Sequence, residues 1–168
     1  MEEPSEVLLE DTRNKESKHS AKHAWWGEAG VRVVRSKLAW GDYYLPPVVS
    51  VDTKQDIYEL AQNIDQGHAR FRAECTGARD AGCQLVVLVE NDDGVESLSQ
   101  LSSWSEDVKH FEMRVRRSGN RNARRISGER LAKACLTMQR KYGVRFEFCR
   151  KEDAAKRVVE ILTEQGRR

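Results

Sequence analysis

"GDYYLPPVVSVDTK", residues 41–54, reads as two short strands meeting at a proline pair. "DYYLP" and "VVSVDTK" are rich in β-branched and aromatic residues, and Pro46-Pro47 separates them. Successive strand side chains alternate faces, so Asp52 and Lys54 project from one side. If the two strands pair antiparallel, Asp42 at the start of the first comes beside Asp52. Converging carboxylates repel and raise one another's pKa. A divalent cation relieves that repulsion, and magnesium suits such a place: it takes oxygen ligands, keeps several waters and is held by one or two carboxylates plus phosphate oxygens. A lysine alongside can orient or help deprotonate an attacking water, or stabilise charge developing on a phosphate. Taken alone, the Asp-Thr-Lys triplet is equally a charged strand end with a surface salt bridge.

Working outward, "EVLLEDTR" is a short apolar run ending in charge, a strand whose C-terminal rim carries Asp11. Residues 18–29 can form a helix stopped by Gly30. "VRVVRSKLAW" is β-rich and Gly41 breaks it. "DIYELAQNI" places Ile57, Leu60, Ala61 and Ile64 at helical spacing, and a second helix over 68–81 ends at Gly82. "CQLVVLVE" is a buried strand by length and β-branching. "ISGERLAKACLTMQRKYG" is a helix with Gly143 as its stop, "VRFEFC" alternates like a strand, and "KEDAAKRVVEILTE" is a closing amphipathic helix. Helices and strands alternate after residue 55, which predicts an α/β layer fold with a mixed central sheet. Residues 91–125 read as a long irregular excursion, and loops of that length are usually functional.

At 168 residues the chain is expected to be a single domain with a real core. Its formal net charge of +2 conceals a segregation. Residues 82–108 carry six acids and no Lys or Arg, whereas 113–128 carry no acid and six arginines: Arg114, Arg116, Arg117, Arg121, Arg124 and Arg125. That asymmetry points to a polyanionic partner, against the blander reading of a solvated basic loop. The four cysteines show no CxxC spacing, so buried thiols in a reducing compartment are expected. No apolar run reaches membrane-spanning length, and "MEEPSEV" is acidic where a signal peptide would be basic. A soluble, intracellular, cytoplasmic protein without membrane contact is the expectation. His19 and His23 are spaced like a helical zinc pair but lack a third ligand. At least one of Trp25 and Trp26 is expected in the core. Glu90 is either a strand cap or a neighbour of the acids.

The spaced Gly41-Asp42 and Asp52-Thr53-Lys54, with nine residues between the aspartates, resemble the G-D-x9-[E/D]-x-K signature of the XPF-type structure-specific endonuclease domain. That domain belongs to the PD-(D/E)XK nuclease superfamily. "LLEDTR" resembles its first strand, "HARFRAEC" the helix carrying its arginine, and "LVVLVE" its next core strand. The segment from "GERLAKAC" to "VVEIL" resembles its closing helix–strand–helix. The resemblance runs in order over about residues 6–162, giving one nuclease domain at 6–165 with an acidic-then-basic insertion or loop at 91–125 and no helix-hairpin-helix module.

The resemblance implies a restriction-endonuclease-like mixed sheet flanked by helices. It implies Mg2+ or Mn2+ held by Asp42, Asp52 and Asp11, with the Thr53 carbonyl facing the metal and Lys54 as the catalytic lysine. Arg13 and Arg70 match the family's arginines and would contact phosphate or brace the acids. The arginines of 114–125 would hold DNA backbone phosphates. The implied activity is endonucleolytic hydrolysis of branched or structured DNA, in repair, recombination or phage DNA processing, with a homodimer as an option. Three departures stand out: Asp52 replaces the commoner Glu, Thr53 an Arg, and Tyr58 a downstream Asp. They keep open the alternative of a catalytically inactive DNA-binding or scaffolding module of the same fold.

Overall fold

The strands are β1 (Glu6–Asp11), β2 (Val31–Ser36), β3 (Tyr43–Leu45), β4 (Val49–Lys54), β5 (Gln84–Glu90) and β6 (Arg145–Cys149). They form one mixed sheet in the order β2-β1-β3-β4-β5-β6. β3 runs antiparallel to β1 and β4, and the other neighbours are parallel. The structure is a computed structural model that describes residues 6–45, 49–65, 68–120 and 122–166. The Pro46-Pro47 turn and Arg121 lie outside the described residues.

The described residues form the helices α1 (Glu16–Glu28), α2 (Ile57–Asp65), α3 (His68–Asp80), α4 (Leu98–Ser103), α5 (Val108–Ser118), α6 (Gly128–Tyr142) and α7 (Ala154–Gly166); α1, α2, α3, α6 and α7 pack on the sheet and α4 packs on α6. β5 shows why its sequence is continuously apolar. Leu85, Val87 and Val89 pack in one cluster with Phe71 of α3 and Leu131 of α6, while Val86 and Leu88 pack with Trp26 of α1 and Ile161 of α7. A strand covered on both faces has no polar side to alternate with. Trp26 is fully buried, and its indole N–H donates to the Ala155 carbonyl at 3.0 Å, so the ring is buried without an orphaned donor. Its neighbour Trp25 is partly buried against the same cluster.

His19 and His23 serve packing rather than a metal. His19 Nδ1 lies 3.0 Å from the Tyr43 hydroxyl, and His23 Nε2 lies 3.1 Å from Glu10. Glu90 ends β5 in a buried ion pair with Lys22 of α1 at 2.5 Å, neither a cap nor a partner of the aspartates. Among the described residues, no helix is long and apolar enough to cross a membrane.

The 91–125 segment departs from the irregular excursion expected of it. It holds α4, capped by the Ser97 side chain at 3.2 Å from the Gln100 N–H, and α5, capped by Asp107 at 2.9 Å from the His110 N–H. Between them lies Glu106, wholly buried. Its carboxylate accepts from Arg114 Nε at 2.9 Å and Nη2 at 2.8 Å and from the Ile126 N–H at 2.9 Å, and it lies 2.7 Å from His110 Nδ1. The Arg125 guanidinium donates to the Glu106 carbonyl. Gly128 completes the docking: its N–H donates to the Trp104 carbonyl at 3.0 Å, and a Cβ there would collide with the Leu101 and Trp104 carbonyls. A single buried acid thus gathers the basic half of the insertion around itself.

Candidate active site

Parallel strands β1 and β4 end, and antiparallel β3 begins, at the same edge of the sheet. The Asp42 N–H donates to the Val51 carbonyl at 2.8 Å, and the Asp11 N–H donates to the Asp42 carbonyl at 2.8 Å. This ladder sets Asp42 between the other two acids. Asp42, Asp52 and Lys54 line one open pocket of about 630 Å³, with Arg13 on one side and Arg70 of α3 on the other.

Thr53 fixes Asp42. Its N–H donates to Asp42 Oδ2 at 2.9 Å and its hydroxyl at 2.7 Å, which leaves Oδ1 without a hydrogen bond from the described residues. Asp52 is buried, and its Oδ2 lies 2.6 Å from the Lys54 ammonium without the angle of a hydrogen bond. Burial pushes the Asp52 carboxyl well above the usual carboxylate range; Lys54 opposes that and the Asp42 charge adds to it. Burial also raises Asp42, against the bonds from Thr53. Burial pulls the Lys54 pKa down, but the charge and bond of Asp52, with the charges of Asp42 and Glu59, together hold its ammonium above the ordinary lysine value. The ammonium sits over the Phe71 ring, 5.2 Å from its centroid. Before substrate binds, Lys54 is therefore a held cation rather than a free base.

Asp11 lines the same pocket but is occupied. One carboxylate oxygen accepts from Arg13 N at 2.7 Å and Nε at 2.8 Å, and the other accepts from the Leu38 N–H at 3.1 Å and from Arg13 Nη2. Burial works against its charge, but these bonds pull the carboxyl below its ordinary value. Asp11, expected from sequence as a metal ligand, here anchors Arg13, which folds back onto it from two residues later.

The five described arginines of the 114–125 stretch divide. Arg114 and Arg125 are spent on Glu106, while Arg116, Arg117 and Arg124 are exposed. Arg114, Arg124 and Arg125 line a different cleft, beside Ile64 and Asp65 at the far end of α2. Tyr58, one of the departures, stacks on His110 at 3.5 Å and donates to Asp107 at 2.9 Å. It ties α2 to the insertion.

Two acids were missed by sequence reasoning: Glu59 of α2, which lines an adjoining cleft with both aspartates and Lys54, and Glu74. Glu74 of α3 accepts from the Gly41 N–H at 2.7 Å and lines the pocket with both aspartates. Burial, and then the Asp52 charge, raise its pKa. The available signal was spacing: Glu74 lies four residues after Arg70, on the same helical face.

The carboxylates fit a divalent cation as a pair and not as a cage. Asp52 Oδ2 is a buried oxygen with no hydrogen bond, and Asp42 Oδ1 is open. Among the described residues, no group of three or more His, Cys, Asp or Glu is arranged to hold a metal ion. Two carboxylates completed by water and phosphate oxygens is a usual arrangement for magnesium.

Gly41 is required twice at this site. It has φ +72°, and a Cβ would strike the Ser50 hydroxyl. Gly41→Ala is expected to destabilise the protein by about 1–2 kcal/mol from the left-handed backbone alone, measured by denaturant unfolding, and to displace Asp42. An unchanged unfolding midpoint would refute the constraint.

No protein-family model matches the chain, and no curated protein sequence does. Among the solved structures that share its fold are two of XPF. One is XPF from Aeropyrum pernix, 16% identical with a TM-score of 0.61, covering 96% of this chain and 66% of that one. The other is XPF from Aeropyrum pernix in complex with DNA, 17% identical with a TM-score of 0.61, covering 95% of this chain and 64% of that one. The chain thus spans a little under two thirds of their length. With its mixed sheet covered by helices on both faces, the chain has the fold of XPF.

Proposed function

We propose that the protein is a metal-dependent endonuclease that hydrolyses DNA phosphodiester bonds, with Mg2+ or Mn2+ as cofactor and branched or structured DNA as substrate. The observation that carries this reading is the pair Asp42 and Asp52 lining one pocket, with Asp42 Oδ1 open and the Lys54 ammonium on the same side, 2.6 Å from Asp52 Oδ2. The XPF fold supports it, and one of the XPF structures contains DNA.

When bound, the cation supplies an activated water and offsets negative charge on the phosphate. Asp42 and Asp52 hold it, with Thr53 locking the Asp42 rotamer through two hydrogen bonds. Lys54, kept charged by Asp52, donates to the phosphate oxygen on which charge develops. Arg13, held in place by Asp11 and by the Leu38 carbonyl at 2.9 Å, and Arg70 across the pocket contact the flanking phosphate oxygens. The exposed Arg116, Arg117 and Arg124 bear on DNA farther along, as charge without base readout.

A panel of end-labelled branched, flapped and linear DNAs, with an RNA counterpart, incubated in Mg2+ or Mn2+, tests this reading. Internal cuts concentrated in the branched and flapped DNAs are expected. Tight binding without a cut anywhere would favour the inert binding module, and cuts confined to RNA would reassign the substrate.

A further inference from the structure

Lining the cleft with the acids are Arg13 and Asn14 of the loop after β1 and Lys15 and Lys18 at the start of α1, which bring donors to it. Asn14 Nδ2 is buried with no acceptor. An unmet buried donor is costly to keep, so a place holding one favours a ligand that accepts. Arg13, clamped by Asp11, still exposes 62% of its side chain. Lys15 and Lys18 are exposed, three residues apart on one helical face, and neither forms an ion pair with a described residue. Lys22, next on that stripe, is by contrast buried against Glu90. The stripe leaves the interior and ends, with two uncommitted ammonium groups, over the acids. Asn14, Lys15 and Lys18 line the same cleft of about 260 Å³ as Asp42, Asp52, Lys54 and Glu59.

Two exposed lysines and an exposed arginine around an unmet amide donor select an anion. An anion bound beside a cation-holding carboxylate pair, and not on it, is a second phosphate of the same strand. We infer that Arg13, Asn14, Lys15 and Lys18 form a seat for the backbone phosphate neighbouring the one over Asp42 and Asp52. The strand next to the scissile phosphate then runs across the start of α1, and the arginines at the far end of α2 meet DNA farther from the site. The seat rests on the nuclease reading and adds a direction to it.

The test places single neutral methylphosphonate linkages, one position at a time, in a labelled branched DNA and measures binding to the full chain by anisotropy in EDTA. In the parent, one linkage next to the cut site should weaken binding. In Lys15→Ala/Lys18→Ala that penalty should vanish, and the log–log salt slope should fall by about 0.9 for each duplex phosphate that is no longer neutralised. Both lysines are exposed, so the variant should fold as the parent does. In cleavage its KM should rise while kcat holds, the pattern of lost uniform binding. Asn14→Asp, which places a carboxylate in the seat, should weaken binding more than Asn14→Ala. Arg116→Ala/Arg117→Ala should leave the penalty at that linkage in place. A lysine variant that keeps the parent's penalty and slope overturns the seat while leaving the nuclease reading intact. A parent that neither binds nor cuts DNA removes both.

Discussion

Asp52→Asn is expected to reduce cleavage by well over 100-fold while leaving DNA binding without metal intact or tighter. The substitution keeps the shape of a side chain buried at the end of β4. It removes one of the two charges that make the site attractive to a cation. Disturbing a mere outer partner of a metal ligand costs about 10–100-fold, so loss of a ligand's charge should exceed that. Binding to a phosphate should not suffer, because a carboxylate beside it is repulsive, by roughly 1 kcal/mol at 4 Å in water. Lys54→Ala separates the roles. Both carboxylates remain, so the cation should still bind, while turnover should fall by about 10²–10³-fold, as when one donor to a developing oxyanion is removed. Single-turnover cleavage, with manganese binding measured on the same samples, distinguishes the two. Variants that cut as fast as the parent would remove these residues from the chemistry.

Glu106→Ala is expected to be the most destabilising change away from the site, by about 3 kcal/mol, the lower end of the range for breaking a buried ion pair. The lower end applies because the Arg114 side chain is 30% exposed and can turn to water once its partner is gone. The pH dependence carries a signature. Burial opposes the Glu106 charge, but Arg114, the Ile126 N–H and His110 bring its pKa down from 4.5 to about 2. A folded-state value below the ordinary one means that the unfolded chain takes the proton first. The stabilisation is therefore complete above about pH 4.5 and is lost as pH falls towards 2. Denaturant unfolding of parent and variant should differ widely at pH 7 and much less at pH 3. A difference within about 0.5 kcal/mol at pH 7, the range of ordinary surface changes, would show that the insertion is held by other contacts.

Much of this architecture was readable along the chain, because local signals and tertiary burial agreed. β5 reads as buried from its uninterrupted apolar run, and its two faces do pack against separate helical layers. The strand period put Asp52 and Lys54 on one side, and the antiparallel pairing of β3 with β4 brought Asp42 to them. What failed to show was tertiary. Asp11 reads as one more acid at a strand rim, and only the folded loop reveals Arg13 turned back onto it. The insertion read as irregular because α4 has only six residues and α5, though Val108, Phe111 and Val115 share a face, is dominated by charge and buries none of its residues. The caps Ser97 and Asp107 were there to be seen, but short helices with caps alone resemble turns. Glu74 and the Lys15–Lys18 pair lie on helices remote in sequence from the aspartates, and only packing places them at the same cleft.

The claim that the aspartate pair works through a divalent cation is tested most directly by one reaction followed through chelation and restoration. The parent is incubated with labelled branched DNA in Mn2+, EDTA is added in excess, and Mn2+ is then returned above the chelator. Strand scission should begin, stop and resume. Scission that continues in EDTA, or never starts although the DNA is bound, would contradict it.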